Sequence, residues 1–174
     1  MEREIELHSQ LNHPHIVKLY GSKKLDGKLF IILEYLPNGT LFDRIQKTNM
    51  TNEEIIDIFI DLMDAVAYIH SKNMIHRDIK PENIIAGEDD KFKICDFGFT
   101  ALVGNIRGKN HKRMTFCGTN EYFAPEILNG QQQSEKVDIW TMGVLLYEVA
   151  HKRSPFKTET YARLKTITPS LLIK

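Results

Sequence analysis

The sequence has 174 residues, 23 lysines and arginines against 23 aspartates and glutamates, 42% hydrophobic residues and two cysteines. That apolar content with zero formal charge excludes an intrinsically disordered chain, and the length fits one domain at roughly 150 residues each, burying about 70% of its unfolded surface. No overall basic excess points to nucleic acid or a membrane surface, and no stretch approaches the roughly 20 apolar residues that span a bilayer.

The opening Met1-Glu2-Arg3-Glu4-Ile5-Glu6-Leu7 is acidic and amphipathic, without the apolar core of a signal peptide. Residues 2–12 read as a short helix with Ile5 and Leu11 on its apolar side, stopped by His13-Pro14. Residues 16–20 and 29–35 read as strands, and Asp26-Gly27 between them is a strong hairpin signal. Leu36-Pro37-Asn38-Gly39 breaks the pattern as a linker. A long helix starts at Thr51, which forms a capping box with Glu54. Ile55, Phe59, Leu62, Val66 and Ile69 form its apolar stripe, which Ile56, Ile58 and Met63 widen, so the helix is expected to be well buried.

Residues 84–86 and 92–95 predict a second small hairpin around Glu88-Asp89-Asp90. Residues 97–120 lose periodicity and contain no acidic side chain. Gln131-Gln132-Gln133 reads as a solvated loop, and residues 138–150 as an apolar, central helix. Strands with one helix, then mostly helix, make an α+β pattern with a break near Pro37. Cys95 and Cys117 are expected to be reduced thiols, which suits a cytoplasmic or nuclear setting.

Three segments carry chemistry: His76-Arg77-Asp78-Ile79-Lys80-Pro81-Glu82-Asn83, Asp96-Phe97-Gly98 directly after an apolar strand, and Ala124-Pro125-Glu126. Each alone is weak, and an isolated Asp-Phe-Gly is usually a turn. In this order and spacing they resemble the protein-kinase motif set. The resemblance implies a two-lobed fold, with residues 1–36 as part of the small lobe and 37–174 as part of the large one. It also implies ATP and Mg²⁺ as cofactors and protein Ser/Thr hydroxyls as acceptors. Phosphoryl transfer needs positioning and charge neutralisation more than covalent help. Asp78 would orient the attacking hydroxyl and accept its proton, Lys80 would hold the transferring phosphoryl, and Asn83 with Asp96 would ligate Mg²⁺ through oxygen. Lys80 two residues after Asp78, and Thr119, resemble the serine/threonine class.

The same resemblance makes Leu33 the gatekeeper, the backbone of Glu34 and Leu36 the adenine contacts, and Ile85 the floor under the ring. Glu4 takes the place of the ion-pairing glutamate of the first helix. Arg107, Lys109, Lys112 and Arg113 precede Thr115, which resembles the activation-loop phosphosite, with Arg3 and Arg77 as its arginine partners. Glu82 resembles a residue that reads substrate arginine, so the expected substrates carry basic residues before Ser/Thr, and an activating protein partner is possible by analogy. Phe97-Gly98-Phe99, residues 115–119, Glu135-Lys136-Val137-Asp138 and a polar His8 resemble the Aurora kinases, whereas Asn120-Glu121-Tyr122-Phe123-Ala124 departs from their wording.

No glycine-rich phosphate loop and no strand with an ATP-binding lysine stand before Glu4 in these 174 residues. The expectation is therefore a small lobe without its first strands and a large lobe without its last helices. That would leave apolar side chains uncovered between residues 16 and 35, with marginal folding. Two other function classes compete with the kinase: a non-catalytic kinase-like binding module and a small-molecule phosphotransferase.

Overall fold

The computed structural model describes residues 1–104 and 120–156. A short helix, α1 (Glu2–His8), leads into an antiparallel hairpin of β1 (Leu19–Leu25) and β2 (Lys28–Leu33), closed at the Leu25–Lys28 pair by Asp26-Gly27. Both turn residues have positive φ, +49° and +73°, the backbone of a two-residue turn that matches strand twist.

The strand starts later than the sequence predicts. Ile16 and Val17 leave the hairpin and pair with Ile94 instead, the Val17 N–H donating to the Ile94 carbonyl at 2.9 Å. Both are buried, so the uncovered apolar set begins only at Tyr20 and includes Leu25, Phe30, Ile32, Leu33 and Tyr35. α1 also ends four residues earlier than predicted. The Gln10 and Leu11 N–H groups turn back to the Leu7 and His8 carbonyls, and this tight turn still brings Leu11 into the core.

Two capping boxes start the next helices. Thr40 and Asp43 exchange bonds at the head of α2 (Leu41–Lys47), and Thr51 and Glu54 do the same for α3 (Asn52–Ser71). Ile55, Leu62, Val66 and Ile69 of α3 are buried as expected, and Phe59 is half-buried. The expected wide burial does not hold, because Ile56, Ile60 and Met63 face solvent.

Beyond α3, β3 (Met74–Ile75) pairs with β6 (Ala101–Leu102), and β4 (Ile84–Ala86) pairs with β5 (Phe92–Ile94), all antiparallel. α4 (Pro125–Leu128) is one turn, and α5 (Lys136–His151) packs on α3 with Val137, Val144, Leu145 and Val149 in the core. Gln133 corrects another expectation: its loop is irregular, but its side chain is buried. One core runs from Leu7 and Leu11 through Ile16, Leu41 and Ile45 to Leu62, Ile69, Phe97 and Leu145. The fold is α+β, a small hairpin-and-helix part joined at residues 36–39 to a mainly helical one. Among the described residues no helix is long and apolar enough to cross a membrane.

Candidate active site

β3 carries the chain out of the core and delivers His76, which is fully enclosed. His76 Nε2 donates to the Cys95 carbonyl at 3.1 Å, and its Nδ1 accepts the Asp78 N–H at 3.3 Å. Both bonds suit a neutral imidazole, and burial holds this histidine below its ordinary pKa despite the nearby Asp138 and Asp78 carboxylates. Asp138, in the first turn of α5 and 0% exposed, organises the same loop. Its carboxylate accepts the N–H of His76 at 2.9 Å, the N–H of Arg77 at 2.8 Å and His70 Nε2 at 2.8 Å. Arg77 is thereby held at φ +72°, a left-handed conformation that a long side chain adopts only when its surroundings impose it.

The three side chains of the expected catalytic set meet. Lys80 Nζ lies 3.1 and 3.0 Å from the two carboxylate oxygens of Asp78, and Asn83 Nδ2 donates to Asp78 Oδ2 at 2.8 Å and to the Asp78 carbonyl at 2.9 Å. Pro81 opens the 3₁₀ turn Pro81–Asn83 that sets this spacing. With both amide hydrogens of Asn83 committed, its Oδ1 is left as an acceptor. The Cys95 N–H donates to the Asn83 carbonyl at 2.9 Å, which joins this turn to the segment bearing Asp96. Asp96 is exposed, at φ +61°, and accepts the Gly98 N–H at 3.1 Å. Asn83 and Asp96 therefore offer hard oxygen ligands. Among the described residues no group of three or more His, Cys, Asp or Glu is placed to hold a metal ion. An ion held here would complete its shell with phosphate and water oxygens, the habit of Mg²⁺.

Phe97 turns inward between two histidines. It stacks on His8 with ring centroids 4.3 Å apart and meets His76 edge-on at 5.0 Å. His8 Nε2 donates to the Val17 carbonyl at 2.7 Å, so α1, the segment ahead of the hairpin and the Asp96-Phe97-Gly98 turn lock together. A Cβ placed on Gly98 would stand 3.8 Å from Glu4 Oε2, which puts the α1 carboxylate directly over that turn. Cys95 is a free thiol whose burial pushes its pKa up to about 12, so it is an inert packing group. Arg77 Nε donates to the Phe99 carbonyl at 2.6 Å, and its Nη1 donates to Gln133 Oε1 at 3.3 Å. Burial, and the Arg3 charge nearby, push the Arg77 guanidinium below its ordinary value.

Glu34 and Leu36, the expected adenine contacts, follow β2 where the hairpin gives way to the helical part. Glu34 donates its N–H to the Lys18 carbonyl at 2.8 Å, and its carboxylate takes Lys93 Nζ at 2.5 Å and the Lys18 N–H at 3.1 Å. Leu33 is exposed, Leu36 and Ile85 are half-buried, and Leu36 Cδ2 would lie 3.6 Å from a Cβ on Gly87. Glu82 is exposed and close enough to act electrostatically on Tyr122, whose hydroxyl donates to Glu148. Thr115 and Thr119 lie outside the described residues, as do Arg107, Lys109, Lys112, Arg113 and Cys117. A separate 740 Å³ hollow between Met1, Glu2 and the tip of the β1–β2 hairpin involves none of the motif residues.

Sequence reasoning passed over the loop-holding role of Asp138, the buried Gln133 and the Tyr122–Glu148 bond. An acid near the start of the apolar run Val137-Asp138-Ile139 was a usable signal for the first. Nothing local marks Gln133.

The sequence matches the family described as protein kinase domain over residues 1–171. It is similar to Aurora kinase A-B of Xenopus laevis, 40% identical over 172 residues, which is 96% of this chain and 41% of that protein. Aurora/IPL1-related protein kinase 2 of Caenorhabditis elegans is 41% identical over 170 residues, 95% of this chain and 54% of that one. An Aurora kinase of Dictyostelium discoideum is 39% identical over 160 residues, 91% and 40% of the two chains. The chain spans about half the length of the curated relatives it matches.

Proposed function

The chain belongs to the protein kinase family, and from that premise we propose that it carries the catalytic centre of an Aurora-like serine/threonine kinase, transferring the γ-phosphate of ATP to protein hydroxyls. The observation that carries the reading is the convergence of Lys80 and Asn83 on the Asp78 carboxylate, within 3.1 Å, beside the buried Phe97. Asp78 orients the substrate hydroxyl and takes its proton as that oxygen bonds to the γ-phosphorus. The bond to the β,γ-bridging oxygen breaks, and ADP is the leaving group. Lys80 places positive charge where the phosphoryl oxygens gather negative charge. Asn83 Oδ1 and Asp96 would hold Mg²⁺, which supplies charge neutralisation on the phosphates when bound. Glu34 and Leu36 would meet adenine through their backbone, flanked by Leu33 and Ile85.

Residues 1–36 would act as the smaller lobe and 37–174 as the larger. Glu4 would serve from α1 as the ion-pairing glutamate. The approach of Arg3 to Arg77 supports Thr115 as a phosphate-bearing switch, because two cations at one spot favour a dianion. Glu82, exposed and close to Tyr122, supports substrates with basic residues before the acceptor. An activating protein partner and a cytoplasmic or nuclear setting complete the reading.

The test is phosphate transfer by the intact protein from γ-labelled ATP with Mg²⁺ to a basic serine peptide. Asp78→Asn should lower the rate by about 10²–10⁴-fold while leaving nucleotide affinity within a few-fold. Nucleotide binding with no transfer by the unaltered protein would favour a non-catalytic binding module.

A further inference from the structure

Gln133 is the one member of the Gln131-Gln132-Gln133 tract that turns inward: its two neighbours are exposed, whereas its own side chain is 3% exposed. An amide removed from water needs a partner. This one has the Arg77 guanidinium, whose Nη1 donates to Gln133 Oε1 at 3.3 Å. Arg77 also donates through Nε to the Phe99 carbonyl at 2.6 Å. One planar, half-buried guanidinium thus stitches the loop between α4 and α5 to the segment that follows Asp96-Phe97-Gly98.

Arg77 is held at both ends. Its backbone N–H is taken by the Asp138 carboxylate at 2.8 Å, and its side chain by Phe99 and Gln133. These contacts sustain a φ of +72°, a conformation that an arginine keeps only while its surroundings impose it. The next residue is Asp78, whose carboxylate gathers Lys80 Nζ at 3.0 Å and Asn83 Nδ2 at 2.8 Å. Among the described residues Gln133 is the acceptor that Arg77 Nη1 finds. Without it the Nε bond is a single tether, about which the guanidinium can pivot, and the strained backbone ahead of Asp78 loses one of its restraints.

On the assignment of Asp78 to phosphate transfer, we infer that Gln133 is a positioning residue for that step: it fixes the Arg77 guanidinium from the α4–α5 loop, and through it the backbone that presents Asp78. Gln133 lies outside the set of Asp78, Lys80, Asn83 and Asp96 and acts through Arg77. What position 133 must supply is an acceptor oxygen at the reach of a glutamine. Volume alone does not suffice, and this separates a positioning residue from a piece of packing.

The experiment compares, in the intact protein, Gln133→Met, which keeps the length and loses the acceptor, with Gln133→Glu, which keeps both. Gln133→Met should lower kcat about tenfold with KM for ATP within about twofold, and Gln133→Glu should stay within about threefold of the unaltered rate. A side chain that only fills space predicts the reverse order, because methionine suits a buried gap and a new carboxylate does not. Gln133→Leu, which also lacks an acceptor, serves where the methionine variant does not fold. In an Arg77→Ala background Gln133→Met should change kcat by less than about twofold, since the contact is already gone. The Arg77 Nε–H resonance gives a readout without turnover: Gln133→Met should speed its exchange with water about tenfold. If the unaltered protein transfers no phosphate, the catalytic reading falls, and this resonance alone decides whether Gln133 holds Arg77. A Gln133→Met rate equal to or above that of Gln133→Glu overturns the inference. So do additive losses in the double variant, or an Arg77 Nε–H that exchanges equally fast with and without Gln133.

Discussion

At the residue scale, Asp138 bears the most consequence per atom. Its two oxygens satisfy two backbone N–H groups and one imidazole in a place water does not reach. Asp138→Ala strands all three donors and should lower unfolding free energy by about 3 kcal/mol in denaturant titration, with Asp138→Asn costing less. His76 and His8 make a pH prediction. Burial, the leading cause for both, holds each below its ordinary pKa of 6.5 in the folded state. The unfolded chain therefore binds more protons in mild acid. Their contribution to stability is complete above pH 6.5 and drains away as pH falls below it. The urea midpoint should drop on acidification, and more shallowly in His8→Gln, which has nothing to titrate there. These residues also mark the limit of sequence reasoning. Asp78, Lys80 and Asn83 were legible because they sit within six positions, but Gln133 meets Arg77 across 56 positions and His76 meets Asp138 across 62.

At the element scale, local chemistry was legible and length was the obstacle. Asp26-Gly27 and the Thr51–Glu54 capping box act within four residues, and both stand where the sequence places them. α2 escaped notice although Thr40 and Asp43 form the same kind of cap. Seven residues give too few turns for an apolar period to show, and only Leu41 and Ile45 point inward. The width of the α3 stripe was misread for a related reason: the sequence counts apolar residues, whereas burial depends on whether a neighbour exists to cover them. The two caps should differ in effect. Thr51→Ala should cost about 1 kcal/mol by thermal or chemical melting. Thr40→Ala should match or exceed that cost, since Thr40 also forms an antiparallel bridge to Ile85 and starts a helix too short to persist alone.

At the scale of the whole molecule, the two parts are unequally covered. The helical part encloses a core but leaves Phe42, Ile56, Ile60, Met63, Ile139 and Leu146 exposed, while the far smaller β1–β2 hairpin shows solvent Tyr20, Leu25, Phe30, Ile32 and Leu33, and Tyr35 beyond it is 80% exposed. Paired strands with a bare apolar face are prone to associate. Phe30→Lys with Ile32→Thr should reduce dye binding and light scattering on warming while shifting the melting midpoint little, because neither side chain is buried.

The Glu34–Lys93 bond has a mechanical consequence. Lys93 is the middle residue of β5, and the same strand runs on through Ile94 and Cys95 into Asp96. One ion pair therefore fastens the crossing between the two parts to the strand that feeds the Asp96-Phe97-Gly98 turn. The crossing is thus tied to the turn through one short strand rather than hanging free of it.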